Sequence, residues 1–194
     1  LGSYGLRAEY DALLAAVASG TALERRRCRD AYVRAVSAES TRRRDRLMGV
    51  VECLLSEADG EVNVCLENRY RLDQVPNLHD IVYLLDAFGG GGLAYWHDTG
   101  HEAAQRHLGV WDDETYEQAC RSLAGVHLHD CVGTEDHLPP GEGSYDFRPV
   151  LGRCRPGMPL VLEITPAASR ERVQAARAHL GRLMAALRDS GGDR

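Results

Sequence analysis

The 194-residue sequence predicts an α/β fold with parallel strands, and three observations lead there. Helix-like and strand-like segments alternate along the chain. Four short apolar runs each end in a polar residue that a buried strand would otherwise avoid. The length suffices for one substantial core, so residues 1–194 are read as a single domain.

The elements follow in order. From Ala8 to Ser19 the apolar residues Tyr10, Leu13, Leu14 and Val17 recur at helical spacing, and Gly20 marks the stop. Thr21, with Glu24 three residues later, forms a capping box that opens a second helical stretch. That stretch runs to about Ala58 and is expected to contain a break. Its Arg42-Arg43-Arg44 run reads as a solvated face. Val62 to Glu67 is a short buried strand. Asn77, behind Pro76, caps a helix that reaches Phe88 and is ended by the glycines 89 to 92. Gly92 to Trp96 is the second strand, Asp113 to Leu123 the next helix and Gly125 to His129 the third strand. A Gly- and Pro-rich loop runs through Gly143, and Asp146 caps a short helix. Pro159 to Ile164 is the fourth strand, and Ser169 to Leu187 a closing amphipathic helix.

Composition narrows the partners. A net charge of -6 argues against a nucleic-acid partner, because such binding rests largely on cations that neutralise phosphates. All 23 basic residues are Arg, which reads as coding bias. Six Cys lie scattered without a C-x-x-C pair, so zinc-ribbon and thioredoxin-type motifs are excluded. Free thiols in apolar runs fit a reducing cytoplasm. No apolar stretch approaches the ~20 residues that span a bilayer.

The strand ends carry the chemistry: Glu67, Asp98, His127 with His129, and Glu163. In parallel α/β barrels the active site sits at the C-terminal strand ends. Side chains two apart on a strand share a face, so Asn63, Cys65 and Glu67 line one side. Three carboxylates and one or two imidazoles converging in a dry interior require something positive to join them. Oxygen and imidazole donors without thiolates suit Mn²⁺, Zn²⁺, Co²⁺ or Fe²⁺.

The segments Cys65-Leu66-Glu67-Asn68, Trp96-His97-Asp98-Thr99-Gly100-His101, Val126-His127-Leu128-His129-Asp130, Asp136 through Gly143 and Leu160-Val161-Leu162-Glu163 resemble the xylose-isomerase-like TIM barrels. That superfamily includes sugar and sugar-phosphate isomerases and epimerases, tagatose-type 3-epimerases, inosose isomerases and dehydratases, and endonuclease IV. The resemblance runs from about Leu1 to Pro166. It implies a (β/α)₈ barrel of which this chain covers the C-terminal half, strands five to eight, with strands one to four preceding Leu1 and Leu1-Gly2-Ser3 following strand four.

The same resemblance makes Glu67, Asp98, His127 and Glu163 the ligands of one divalent cation (Mn, Zn, Co or Mg). It also matches His101 to a histidine that contacts substrate in the epimerases; Glu67 and Glu163, approaching from opposite sides, are the candidate catalytic pair with His101, and Arg69, His129, His137 and Glu142 are candidate contacts to a sugar or sugar-phosphate substrate. His101, Glu135 and His137 match residues that hold a second metal in the endonuclease, where two or three zinc ions would cluster. The implied activity is an isomerase or epimerase acting by proton transfer through an enediolate. The alternatives are an endonuclease IV-like phosphodiesterase and an inert partial barrel that needs a partner, such as a second copy. Outside that set, His97 is expected to pack beneath a helix, and His79, His107 and His179 to lie on helix surfaces. His129 is expected to donate to Asp130 or substrate. The Gly141-Glu142-Gly143 turn is either a tight loop or a source of N–H groups for a phosphate.

Overall fold

Apolar runs too short for helices become strands, and the stretches between them with helical periodicity pack on one side. The computed structural model describes residues 2–89 and 91–191. Helix α1 (Arg7–Ser19) ends at Gly20, and α2 (Ala22–Ala58) begins with the expected Thr21–Glu24 capping box. The expected break in α2 is absent. Its 37 residues form one rod of about 55 Å at 1.5 Å per residue.

Strand β1 (Val64–Glu67) leads to α3 (Leu78–Ala87), whose N-cap Asn77 accepts from the Asp80 N–H while Asp80 accepts from the Asn77 N–H. Strand β2 (Leu93–Asp98) runs straight into α4 (Thr99–His107), a helix that no apolar periodicity in the sequence announces; α5 (Asp113–Cys120) and β3 (Leu123–Leu128) follow. The expected loop to Gly143 contains a small antiparallel hairpin, β4 (Asp130–Val132) with β5 (Glu135–Leu138). Asp146 accepts from the Arg148 N–H at the start of α6 (Arg148–Leu151), then come β6 (Leu160–Leu162) and α7 (Arg170–Gly191).

The four strands β1-β2-β3-β6 form one parallel sheet in sequential order. This is the arrangement of a partial (β/α) barrel. Register pairs Glu67 with Trp96, Asp98 with His127 and His127 with Val161, so these residues share a face and their strand ends share a level. The opposite face carries Leu66, Tyr95, Val126 and Leu128 into the core beneath α3, α5, α6 and α7. A second apolar cluster joins α1 to the first half of α2 through Tyr10, Leu13, Tyr32 and Val36. Leu1 lies outside the described residues; Gly2 and Ser3 pair with the segment 74–75 beyond β1.

His97 is fully buried, as expected, on the helix side of β2. Its Nδ1 lies 2.8 Å from the Tyr95 hydroxyl, and its Nε2 lies 2.9 Å from Glu102 Oε2 but off the line of a hydrogen bond. Glu102 also accepts from Arg106 and from the Tyr145 hydroxyl. His79 and His107 are exposed as expected, whereas His179 is half-buried, its ring edge on Phe147. The Arg42–Arg44 face is only partly solvated: Arg42 and Arg43 reach Glu39, and Arg44 lies over the Tyr83 ring. Among the described residues no helix is long and apolar enough to cross a membrane.

Candidate metal centre

Each strand delivers one donor to the same level. Ligand atoms of Glu67, Asp98, His127 and Glu163 all lie within 4.8 Å of one another. His127 Nδ1 stands 2.9 Å from Glu67 Oε1, 2.7 Å from Glu163 Oε2 and 3.7 Å from Asp98 Oδ2. One imidazole N–H can be directed at only one of three carboxylates, and it is directed at Glu67. Glu163 Oε2 is therefore a buried oxygen without a hydrogen bond, on a side chain that is otherwise 43% exposed, which leaves one carboxylate oxygen unmet. A cation among these oxygens would correct that imbalance, and the mixed oxygen and nitrogen donors fit a divalent first-row metal or Mg²⁺.

Asp98 is the most constrained of the four, with no exposed surface. It caps α4 by accepting from the His101 N–H at 2.7 Å, and His129 Nε2 lies 2.8–2.9 Å from its two oxygens. Burial alone would raise its carboxyl; the His129 hydrogen bond and the neighbouring His101 charge hold it below the ordinary carboxylate range. Its backbone is fixed by Asn68, which accepts from the Asp98 N–H (2.8 Å) and donates to the Asp98 carbonyl (3.0 Å), while the Tyr95 hydroxyl donates to Asn68 Oδ1 (2.9 Å).

Several expected substrate contacts are engaged elsewhere. His129 is fully buried: Nε2 serves Asp98, and Nδ1 accepts from the His137 N–H at 2.8 Å. It reaches neither Asp130 nor the open face, and its ring nitrogens are both engaged. Glu142 points to α7, where both its oxygens pair with Arg172. The N–H groups of Gly141 and Tyr145 both go to Asp130, so they are not free for a phosphate. That wrapping is close enough for a Cβ at Gly143 to fall 2.3 Å from Asp130 Oδ1. Arg69 stays at the rim, its Nη1 3.3 Å from Glu67 Oε2.

A second cluster adjoins the first. His101, His129 and His137 bring ring nitrogens within 4.8 Å of one another. His101 Nδ1 donates to the Asn68 carbonyl (2.9 Å), which leaves Nε2 turned to Asp136 at 3.9 Å. His137 Nδ1 lies 3.0 Å from Asp136 Oδ1 and its Nε2 3.8 Å from Glu163 Oε1. Partial burial lowers the His137 pKa, but the Asp136 hydrogen bond and the surrounding carboxylates outweigh it and raise it overall. The carboxylate facing this cluster is thus Asp136, while the expected Glu135 is exposed. His137 has a left-handed backbone, φ +59°, which breaks the strand alternation that would have placed residues 135 and 137 together. Asn68, Trp96 and Asp136 carry no signal of their own in the sequence beyond the motifs that contain them. The Trp96 indole stands edge-on to His127, ring centroids 5.2 Å apart.

Fold and cluster together define a partial TIM-barrel-type α/β protein with a candidate metal centre at its strand ends. Among solved structures, the chain is similar to a crystal structure described as a D-tagatose 3-epimerase-like protein, with a TM-score of 0.62 and 18% identity. The match covers 76% of this chain and 56% of that one, so this chain spans little more than half of its structural neighbour's length. No family model matches the chain, and no curated protein is similar to it in sequence.

Proposed function

We infer that the chain supplies the metal-binding strands of a sugar or sugar-phosphate isomerase or epimerase. The observation that carries this reading is the unsatisfied Glu163 Oε2 in a cluster of three carboxylates and one imidazole at the strand ends. Glu67, Asp98, His127 and Glu163 would hold a divalent cation. When bound, that cation supplies Lewis-acid polarisation of a carbonyl and its neighbouring hydroxyl.

The chain's own residues would do the rest. Glu67 closes β1 and Glu163 directly follows β6, the two outer strands of the sheet, on opposite sides of His127. One is placed to remove a proton from carbon and the other to return it. Arg69 steadies the outer Glu67 oxygen. His101, fixed by Asn68, presents Nε2 to a substrate oxygen. Solvent exchange of the substrate C–H, followed by NMR in deuterated water on a panel of ketoses and their phosphates, tests this reading. We expect Glu67→Gln and Glu163→Gln each to slow exchange by about 10²–10⁴-fold. Unchanged exchange in both variants would overturn it.

The Asp136, His101 and His137 cluster favours one second reading, a phosphodiesterase with more than one metal. Elemental analysis separates the two: one metal per chain supports the isomerase, and two or three zinc ions support phosphoester hydrolysis.

A further inference from the structure

Strand β3 breaks its own alternation. Leu123 and Val126 both bury in the helix-side core, although residues three apart on a regular strand face opposite ways. The register explains this. Tyr95 pairs with Leu123 and Trp96 with Gly125, so Ala124 is passed over. Such a bulge turns every side chain beyond it to the other face. Unbroken alternation from Leu123 would carry His127 into the helix-side core. With Ala124 as the extra residue, His127 pairs with Asp98 and joins the strand-end donors instead.

Trp96 sits at that irregularity. Its six-membered ring lies directly over the Gly125 backbone, where a Cβ would fall 2.2 Å from Trp96 Cζ3 and 2.5 Å from both Cε3 and Cη2. Glycine alone gives the indole this seat. The same ring stands edge-on to His127, at an interplanar angle of 65°, in the geometry favoured by aromatic pairs. The indole N–H is buried without a hydrogen bond, so packing alone fixes the ring. A leucine at this position would avoid that orphan donor but would present no ring to His127. On its other side, His127 Nδ1 lies 2.9 Å from Glu67 and 2.7 Å from Glu163. The imidazole is thus held between a carboxylate pair and an indole edge.

We propose that Trp96, seated on Gly125, is a positioning residue for His127, confining the imidazole to the orientation in which Nδ1 faces Glu67 and Glu163. The effect on a bound cation rests on the metal-centre reading; the orientation of the ring does not.

The test is long-range ¹H–¹⁵N NMR of the full chain labelled with ¹⁵N-histidine, well above the ordinary imidazole pKa, where the two neutral tautomers are distinguished. We expect His127 in a single Nδ1–H tautomer with an NOE to the Trp96 ring. Trp96→Leu removes the ring and Gly125→Ala displaces it; both should let His127 populate the Nε2–H form. Trp96→Phe keeps a ring edge and should recover the Nδ1–H form. Unchanged signals of the buried His97 and His129 report that the fold is kept, and Trp96→Met is read in place of Trp96→Leu if they move. A single Nδ1–H tautomer in both the ring-free and Gly125→Ala variants, or a mixture already in the parent, overturns the proposal. Titration with Co²⁺, followed by its visible absorption, should show affinity about tenfold or more weaker in the same variants. Failure of the parent to bind Co²⁺ would sink the metal reading and leave the tautomer result to decide the role of Trp96.

Discussion

His129 shows how a residue can matter to the centre without facing it. Its two ring nitrogens join Asp98 to the backbone of His137, and its ring stacks on that of His137 at 4.3 Å. Neutral imidazole has one donor and one acceptor, and the His137 N–H requires Nδ1 to accept, so Nε2 carries the proton toward Asp98. If Asp98 holds a cation as proposed, this hydrogen bond would orient its carboxylate. Replacing His129 by Phe keeps a ring but leaves Asp98 short of a donor. We expect metal affinity in equilibrium dialysis to fall about 10–100-fold, with partial recovery in His129→Gln, which restores an N–H. Equal affinity in the Phe variant and the parent would remove His129 from the support of the centre.

At the scale of elements, α4 is the tightest joint. Asp98 is both the last residue of β2 and the cap of α4, and Gly100 allows the His129 ring to press on the first turn: a Cβ there would lie 2.0 Å from His129 Cε1. We expect Gly100→Ala to destabilise the protein by ~1–3 kcal/mol in urea unfolding and to weaken metal binding as well. The far side of α4 carries Glu102. Burial would raise its carboxyl, but the neighbouring His97, Tyr145 and Arg106 hold it down to about 2. A folded-state value below the ordinary 4.5 gives stability that is complete above about pH 4.5 and is lost as pH falls through about 2. We expect acid to remove about 3 kcal/mol through this group, and the loss between pH 6 and pH 3 to shrink in Glu102→Gln. The same helix marks where the sequence could be read and where it could not. The strands, α2, α3 and α7 announce themselves through apolar periodicity and caps. Helix α4 buries His101, Glu102 and Gln105, so its inner face is polar and carries no apolar stripe. The four strand-end donors were legible because each closes an apolar run. Asp136 was not, because the backbone turn at His137 overrides alternation, and nothing local says that the N–H groups around Gly141–Tyr145 belong to Asp130.

At the scale of the molecule, β1 and β6 end the sheet among the described residues, and Cys65, Trp96, Gly125 and Val161 share the face that bears the strand-end donors. Val161 is 42% exposed. Unpaired strand edges invite pairing. We expect the 194-residue chain expressed by itself to associate with rising concentration in sedimentation velocity, and Val161→Lys to shift it toward monomer. A parent chain that stays monomeric throughout would show that these edges are protected. Helix α2 bears on the same architecture. Its first half belongs to the cluster with α1, through Tyr32 and Val36, and its second half to the sheet core, through Leu47 and Val51. One uninterrupted backbone therefore serves as a shared wall of two apolar compartments. Loosening the smaller compartment frays the rod from its Thr21 end while its other end stays anchored, so local unfolding has a built-in direction that runs from the periphery toward the sheet.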